Sequence, residues 1–451
     1  MTLRRLWNTW KQDPLLGRVL RNTGYLFSGS TIGTALSIVQ SIFAARLLGV
    51  EGFGLLGTIT VFCSTINRLF SFRMGELVVR YVSQYQSEKR LDKAAAVVKI
   101  AAITEAFTSL LAFIALVLLA PLASVYFAKD AAWTPLFIFY GVTILGNLMT
   151  ETSTAVMQLA HNFRSQAVIN LGQAVLTSLI IILAFFTRGD MILIVTAYLI
   201  GKLTLGIGPM VMAWGCLNKL LEPGWWQVSL RLLPPWRDLA GFAVSTNLSA
   251  TLTLLVRDSE LLWVAFFLSP YEVGLYKVAL GVINLLLMPI TPFISTTYPE
   301  ISRSVAEHSW ATLRRLLRRV TLISGGVTGV MGAGIAIFGP VLILLYGWEY
   351  LPAYPALLVL LIGYGTANVL FWNRTLLLAF NQPGFPFRVM LWCGLLKVAL
   401  SFWVIPNMGY IGAAALLSIY FVISVGLIAL RGLRHLQIQE KINHRGTEAQ
   451  S

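Results

Sequence analysis

Charged side chains inside apolar stretches are the residues of this 451-residue chain whose types and placement can do chemistry. A charge within a bilayer costs several kcal/mol unless it faces water or a partner. Ten of these side chains are basic and five are acidic, so the predicted interior is polar and net positive. They are Arg46, Arg68, Arg73, Arg80, Lys99, Lys202, Arg257, Lys277, Arg374 and Lys397, with Glu76, Glu105, Glu151, Asp258 and Glu260.

The elements that hold these charges are predicted to be membrane-spanning helices. The chain is 57% hydrophobic and 12% charged, with a mean hydropathy of +0.75, whereas soluble domains contain roughly 25% charged residues. No polar stretch reaches the roughly 50 residues of a soluble domain, which excludes soluble enzymes and nucleic-acid-binding modules. The sequence therefore predicts an all-α integral membrane protein.

Twelve candidate spans follow from the requirement of roughly 20 apolar residues per helix. An even number places both termini on one side of the membrane. If that side is the cytoplasm, it holds every Lys and Arg outside the spans except Lys129 and Arg188, as the positive-inside rule requires. The spans are 24–48, 53–86, 94–120, 134–160, 165–187, 190–215, 238–268, 272–299, 318–339, 355–380, 388–405 and 410–430.

The two halves of the chain resemble each other at an offset of 220 residues, where Gly54 matches Gly274 and Pro135 matches Pro355. Six spans return the chain to its starting side, so the halves are predicted to be parallel repeats with a substrate cleft between them. The predicted organisation is an interfacial cytoplasmic segment (1–23), a six-helix lobe (24–215), a cytoplasmic linker (216–237), a second six-helix lobe (238–430) and a cytoplasmic tail (431–451).

The first helix of each lobe is rich in small polar residues, which line a cleft or allow close helix packing. Both interpretations place these helices inside the bundle. The residues are Ser28, Ser30, Thr31, Thr34, Ser37 and Gln40, and Ser245, Thr246, Asn247, Ser249, Thr251 and Thr253.

Six stretches contain turn and helix-packing residues and no catalytic motif. They are AARLLGVEGFGLL (44–56), LVVRYVSQY (77–85), VGLYKVAL (273–280), TTYPEISR (296–303), LLYGWEYLPAYPAL (344–357) and VIPNMGYIGAAA (404–415). These stretches resemble the polysaccharide transporter (oligosaccharide flippase) family of the multidrug/oligosaccharidyl-lipid/polysaccharide exporter superfamily. The resemblance implies a transporter in the bacterial inner membrane that moves lipid-linked oligosaccharide from the cytoplasmic to the outer leaflet. We expect a monomer in contact with membrane lipids and glycan assembly proteins.

A lipid-linked glycan carries phosphate or pyrophosphate, and a guanidinium fork matches two phosphate oxygens. Each basic residue also has a structural interpretation. Arg257 can form a local ion pair with Asp258 or Glu260, and Arg73 and Arg374 lie near the cytoplasmic ends of their helices. The leading anion contacts are Arg68, Arg257 and Lys397, followed by Lys202, Arg73 and Arg374.

Glu151 and Glu105 are candidates for ion coupling or for pairing with an interior base. The three cysteines and the histidines show no ligand spacing, so neither a metal nor another cofactor is predicted. Two other functions remain open. An ion-coupled multidrug extruder would be expected to have an acidic cleft, and a membrane glycosyltransferase or polymerase would need acid-base groups on a sizeable outer loop.

Overall fold

The computed structural model describes residues 14–72, 74–221, 224–233, 251 and 253–448, and every regular element in these ranges is helical. The chain forms two compact units. The first consists of Met1–Leu48 with Ile59–Thr251, and the second of Gly49–Thr58 with Leu252–Ser451. The short segment Gly49–Thr58 therefore packs with residues that follow it by about two hundred positions.

The helices of the first unit are long and connected by short turns. Single 3-10 turns lie at Ala131–Trp133, Trp225–Gln227 and Leu230–Leu232. The helices are α1 (Pro14–Phe70), α2 (Met74–Ser87), α3 (Leu91–Phe127), α4 (Thr134–Gly146), α5 (Thr150–Leu159), α6 (Phe163–Phe186) and α7 (Met191–Leu220).

The second unit begins its described part with a wide π-helical turn at Leu254–Asp258. Two 3-10 segments, Asn284–Leu287 and Trp348–Ala353, connect its helices. The helices are α8 (Glu260–Phe267), α9 (Pro270–Ile283), α10 (Thr291–Ala306), α11 (Trp310–Leu344), α12 (Tyr354–Val369), α13 (Asn373–Ala379) and α14 (Gly384–Glu448).

Within the described residues, nine helical stretches are long and apolar enough to cross a membrane. Large apolar side chains such as Leu118, Phe186 and Val330 are more than 70% exposed, as lipid contact requires. The chain is a multi-pass membrane protein. The stretches are Ile32–Phe70, Leu91–Phe127, Ala131–Leu159, Phe163–Phe186, Met191–Leu220, Pro270–Leu287, Trp310–Leu344, Trp348–Ala379 and Gly384–Lys441.

Two glycines bend long helices where the sequence predicts loops between spans. Gly49 in α1 and Gly409 in α14 have φ angles of 66° and 63°. A residue without Cβ adopts this left-handed conformation at low cost. The backbone leaves helical geometry at both glycines, so each long helix consists of two helices joined across a kink, at the predicted gaps 49–52 and 406–409. The predicted tail from 431 onward is helical up to Glu448.

At least four predicted spans are interrupted helices in the described part of the chain. Residues 71–73 separate α1 from α2, 147–149 separate α4 from α5, 284–290 separate α9 from α10, and 370–372 separate α12 from α13. Backbone groups at such ends need new partners because the helical ladder stops there. The interruptions therefore depend on side chains from other helices, which hydropathy alone does not identify.

The two glycines matched by the internal repeat contact each other's helices within the second unit. A Cβ on Gly54 would lie 1.9 Å from the carbonyl oxygen of Pro270. A Cβ on Gly274 would lie 2.1 Å from the carbonyl oxygen of Val50. Such backbone contact between helices requires glycine on both sides. Ser269 fixes the start of α9 through a capping box with Glu272.

We expect Gly54→Ala to destabilise the protein by about 1–3 kcal/mol, because the new methyl group overlaps backbone that cannot move aside. The matched control is Gly334→Ala in α11, where a Cβ meets nothing within 4 Å. The control should be neutral or stabilising, since alanine favours helices. Thermal unfolding of both variants in detergent tests this, and equal unfolding midpoints would contradict the close crossing.

Candidate functional site

Arg257 lies in the π-helical turn just before α8. Its side chain is exposed, interacts electrostatically with Tyr364 and lies with its guanidinium carbon 5.6 Å from the centroid of the Phe421 ring. The rings of Tyr364 and Phe421 pack edge to face with centroids 5.0 Å apart. A guanidinium has five N–H donors. Arg257 therefore presents a cation beside two aromatic rings, with donors that suit an anionic ligand.

Lys397 occupies a different environment from the one expected of an anion contact. Its side chain is buried, and its Nζ donates to the Val256 carbonyl oxygen at 2.6 Å and forms an ion pair with Glu260. The Tyr276 hydroxyl donates to the Oε1 of Glu260 at 3.3 Å. Glu260, which the sequence places beside Arg257, is therefore the partner of Lys397.

Arg68 and Lys202 are two basic residues that lie close together in the first unit. Arg68 lies in the last turn of α1, and Lys202 lies within α7. Both side chains are exposed, and they are close enough to repel each other. Two like charges held together favour a counter-anion or water between them. The structure thus brings together two of the predicted anion contacts.

The other predicted basic residues lie apart from these groups. Arg374 is exposed and is the second residue of α13, and Arg73 lies outside the described residues. Lys277 donates to the Phe53 carbonyl oxygen at 3.1 Å and lies 3.7 Å above the Phe53 ring. Its described contacts are therefore with its own unit.

Glu105 and Glu151 meet at the interruption between α4 and α5. The two oxygens of Glu105 accept the backbone N–H groups of Glu151 at 2.7 Å and Thr152 at 3.0 Å. The Oε1 of Glu151 accepts a hydrogen bond from the Ser71 hydroxyl at 3.0 Å. Glu105 thereby caps the start of α5, where a negative charge also interacts favourably with the helix dipole.

Some of the small polar residues in the first helix of each lobe take part in helix packing, and others lie outside the described residues. Gln40 is buried and donates to the Ala174 carbonyl oxygen and the Ser178 hydroxyl. Ser37 bonds to backbone within its own helix. These contacts favour the packing interpretation for both residues. Ser245, Thr246, Asn247 and Ser249 lie outside the described residues, as do the side chains of Ser28, Ser30 and Thr31.

Sequence reasoning did not identify Tyr364, Phe421 or Tyr276, the aromatic residues that hold the charged groups of the second unit. Each lies in an apolar helix where an aromatic residue is ordinary core material. The alternation of apolar residues carries no information about which aromatic ring meets which charge, so no local signal was available.

The three cysteines are free thiols, of which Cys63 and Cys216 are buried and Cys393 is partly exposed. In the described part of the chain, no three His, Cys, Asp or Glu side chains are grouped as metal ligands would be.

A family model described as "Polysaccharide biosynthesis protein" matches residues 19–305. The chain belongs to this family. It is also 22% identical over 352 residues to the inner membrane protein YghQ of Escherichia coli strain K12, covering 76% of this chain and 97% of that protein. The predicted family resemblance is confirmed.

Solved structures show the same fold at low sequence identity. An inward-facing multidrug resistance MATE family transporter of the MOP superfamily matches with a TM-score of 0.71 and 14% identity, covering 91% of this chain and 96% of that one. A MOP superfamily transporter from Pyrococcus furiosus, described as having a binding pocket of reverse polarity, matches with a TM-score of 0.64 and 15% identity over 96% and 98% of the two chains. The all-helical membrane fold is confirmed. Both of these solved structures are transporters.

We expect Glu105→Ala to destabilise the protein by about 1–3 kcal/mol, because two backbone N–H groups lose their acceptor. Glu88→Ala is the matched control, since Glu88 is exposed and contacts only Gln84 and Arg90 among its described side-chain partners. Thermal unfolding in detergent should show a lower midpoint for Glu105→Ala than for the control. Equal midpoints would mean that the carboxylate does not cap α5.

Proposed function

We propose that this protein flips lipid-linked oligosaccharide from the cytoplasmic to the outer leaflet of the bacterial inner membrane. The substrate is a sugar chain on polyprenyl phosphate or pyrophosphate, destined for lipopolysaccharide or another cell-surface polysaccharide. Family membership supports a polysaccharide-related substrate. The single observation that carries the proposal is the exposed side chain of Arg257 in the π-helical turn before α8, beside Tyr364 and Phe421.

Binding of a phosphate group would account for the exposed arginine at position 257. The planar fork of an arginine binds two phosphate oxygens at once, and the strength of these charge-assisted hydrogen bonds increases away from water. Arg68 and Lys202, which lie close enough to interact electrostatically, are two further proposed contacts of the phosphate. Arg374 and Arg73 remain proposed contacts of the phosphate, whereas the charge of Lys397 is paired with that of Glu260.

The proposed architecture has twelve helices in two six-helix lobes, with both termini in the cytoplasm. Interrupted helices support the repeat, since α4 with α5 in the first unit corresponds in chain order to α12 with α13 in the second. Each pair follows a long helix with an internal proline, Pro121 in α3 and Pro340 in α11. The concentration of Lys and Arg in alternate connections supports the orientation.

The proposed cycle is alternating access through the cationic cleft that the sequence predicts. The phosphate-bearing head enters from the cytoplasmic side while the acyl tail stays in lipid, and a change of lobe arrangement exposes the head outside. No covalent step is required. A monomer is sufficient, with membrane lipids and glycan assembly proteins as the surrounding partners.

An ion-coupled multidrug extruder is the second candidate, because several similar solved structures are MATE transporters. Such a protein would need an acidic group available for a cation. In the first unit, both oxygens of Glu105 already accept backbone N–H groups, and in the second unit Glu260 is paired with Lys397. These carboxylates are engaged in structure, which favours the flippase.

We expect Arg257→Gln to reduce translocation of a lipid-pyrophosphate oligosaccharide by about tenfold, the factor equivalent to ~1.4 kcal/mol, because the charged fork is lost. The assay follows a fluorescent substrate that becomes accessible in the outer leaflet of proteoliposomes. Arg303→Gln is the matched control, since Arg303 is exposed in α10 and paired with Glu307. It should translocate at the wild-type rate.

Equal rates for Arg257→Gln and wild type would remove Arg257 from the site. A wild-type protein that translocates no such lipid but expels a cationic dye against a proton gradient would replace the flippase with the extruder.

A further inference from the structure

The buried group around Lys397 lies directly against the turn that presents Arg257. Lys397 and Glu260 are 4% and 3% exposed. The Nζ of Lys397 binds the carbonyl oxygen of Val256, the residue just before Arg257. Lys397 therefore contacts the backbone of the π-helical turn from its buried side, whereas the side chain of Arg257 lies on the exposed side.

The direction of Arg257 depends on the shape of this turn. Residues 254–258 form a π-helical turn, which contains one more residue than an α-helical turn and changes the face on which later side chains lie. Such turns are frequent at functional sites. If the turn returned to α-helical geometry, Arg257 would leave its place beside Tyr364 and Phe421.

Glu260 and Lys397 connect the π-helical turn to neighbouring helices. Glu260, two residues beyond the turn, is bound on one oxygen by Lys397 and on the other by the hydroxyl of Tyr276 from α9. One ammonium group thus connects α14 to both the Val256 carbonyl oxygen and the first residue of α8. A buried ion pair of this kind contributes specificity of structure more than stability.

Gly394 permits the close approach of α14. It lies one helical turn before Lys397, and a Cβ at this position would be 2.4 Å from the Cγ2 of Val256. The absence of a side chain lets α14 lie against Val256, so that Lys397 reaches the backbone behind the side chain of Arg257.

We propose that Lys397 is a positioning residue that, through Glu260 and the Val256 carbonyl oxygen, fixes the π-helical turn and thereby aims Arg257 at the phosphate of the substrate. This inference rests on the proposed function for the identity of the ligand. It replaces direct anion binding by Lys397 with an indirect role, since the ammonium group is already occupied.

The first test is a comparison of substrate binding by single and double variants. Lys397→Gln leaves Glu260 buried without its counter-charge and should weaken binding of the lipid-pyrophosphate oligosaccharide about tenfold. Adding Glu260→Gln removes that uncompensated charge and leaves two amides able to hydrogen-bond, so binding should return to within about threefold of wild type. Lys397→Arg should also retain binding. A direct anion contact predicts that the double variant binds as poorly as Lys397→Gln, which would overturn the proposal.

The second test needs no substrate. Arg257→Cys is made in a chain carrying Cys393→Ala, and the rate of modification by a negatively charged methanethiosulfonate is measured in detergent. Lys397→Gln should change this rate about threefold or more, and Lys397→Gln with Glu260→Gln should restore it. Lys277→Gln is the matched control, because Lys277 also binds a backbone carbonyl oxygen, that of Phe53, and should leave the rate unchanged.

Unchanged labelling in folded Lys397→Gln would overturn the positioning role. If that variant does not fold, Gly394→Val takes its place, since it displaces Val256 while keeping both charges, and an unchanged rate there has the same meaning. Failure of the wild type to bind the lipid would refute the proposed function and leave the labelling result to decide the positioning role.

Discussion

A charge within the hydrocarbon region of a membrane must be paired or must face water, and the rest of this structure depends on that constraint. It separates the embedded charges into two groups. Glu105 and Lys397 are buried and bind backbone groups or an opposite charge. Arg68 and Lys202 have exposed side chains on membrane helices, and Arg257 has an exposed side chain in the π-helical turn before α8. The first group holds interrupted helices in place, and the second contains the residues proposed to contact the substrate.

Buried charged side chains bind backbone groups at the places where helices are interrupted. Where α4 ends, the N–H groups at the start of α5 find an acceptor in Glu105. Where the π-helical turn lies, Lys397 binds its Val256 carbonyl oxygen. Both of these departures from a regular helix therefore carry a polar partner from another helix, because unsatisfied backbone groups are especially costly in lipid. The same fold serves transporters of different substrates, so the charges rather than the fold identify the ligand.

The sequence predicted the membrane class, the helical fold and most helix positions, because hydropathy depends on composition over about twenty residues. It also matched Gly54 with Gly274, which the structure places at a close helix crossing. It could not predict that Lys397 pairs with Glu260, 137 positions away, since such pairing depends on tertiary packing. The aromatic support of Arg257 was missed for the same reason.

The most direct test of the account is whether translocation depends on the phosphate of the substrate. Two lipids with the same polyprenyl tail and the same oligosaccharide, one linked through pyrophosphate and one through a neutral glycosidic bond, are compared in wild-type proteoliposomes. The account predicts that the pyrophosphate lipid crosses at least about tenfold faster and that an excess of it inhibits the labelled substrate. Equal rates for the two lipids would contradict recognition of the phosphate by the arginines.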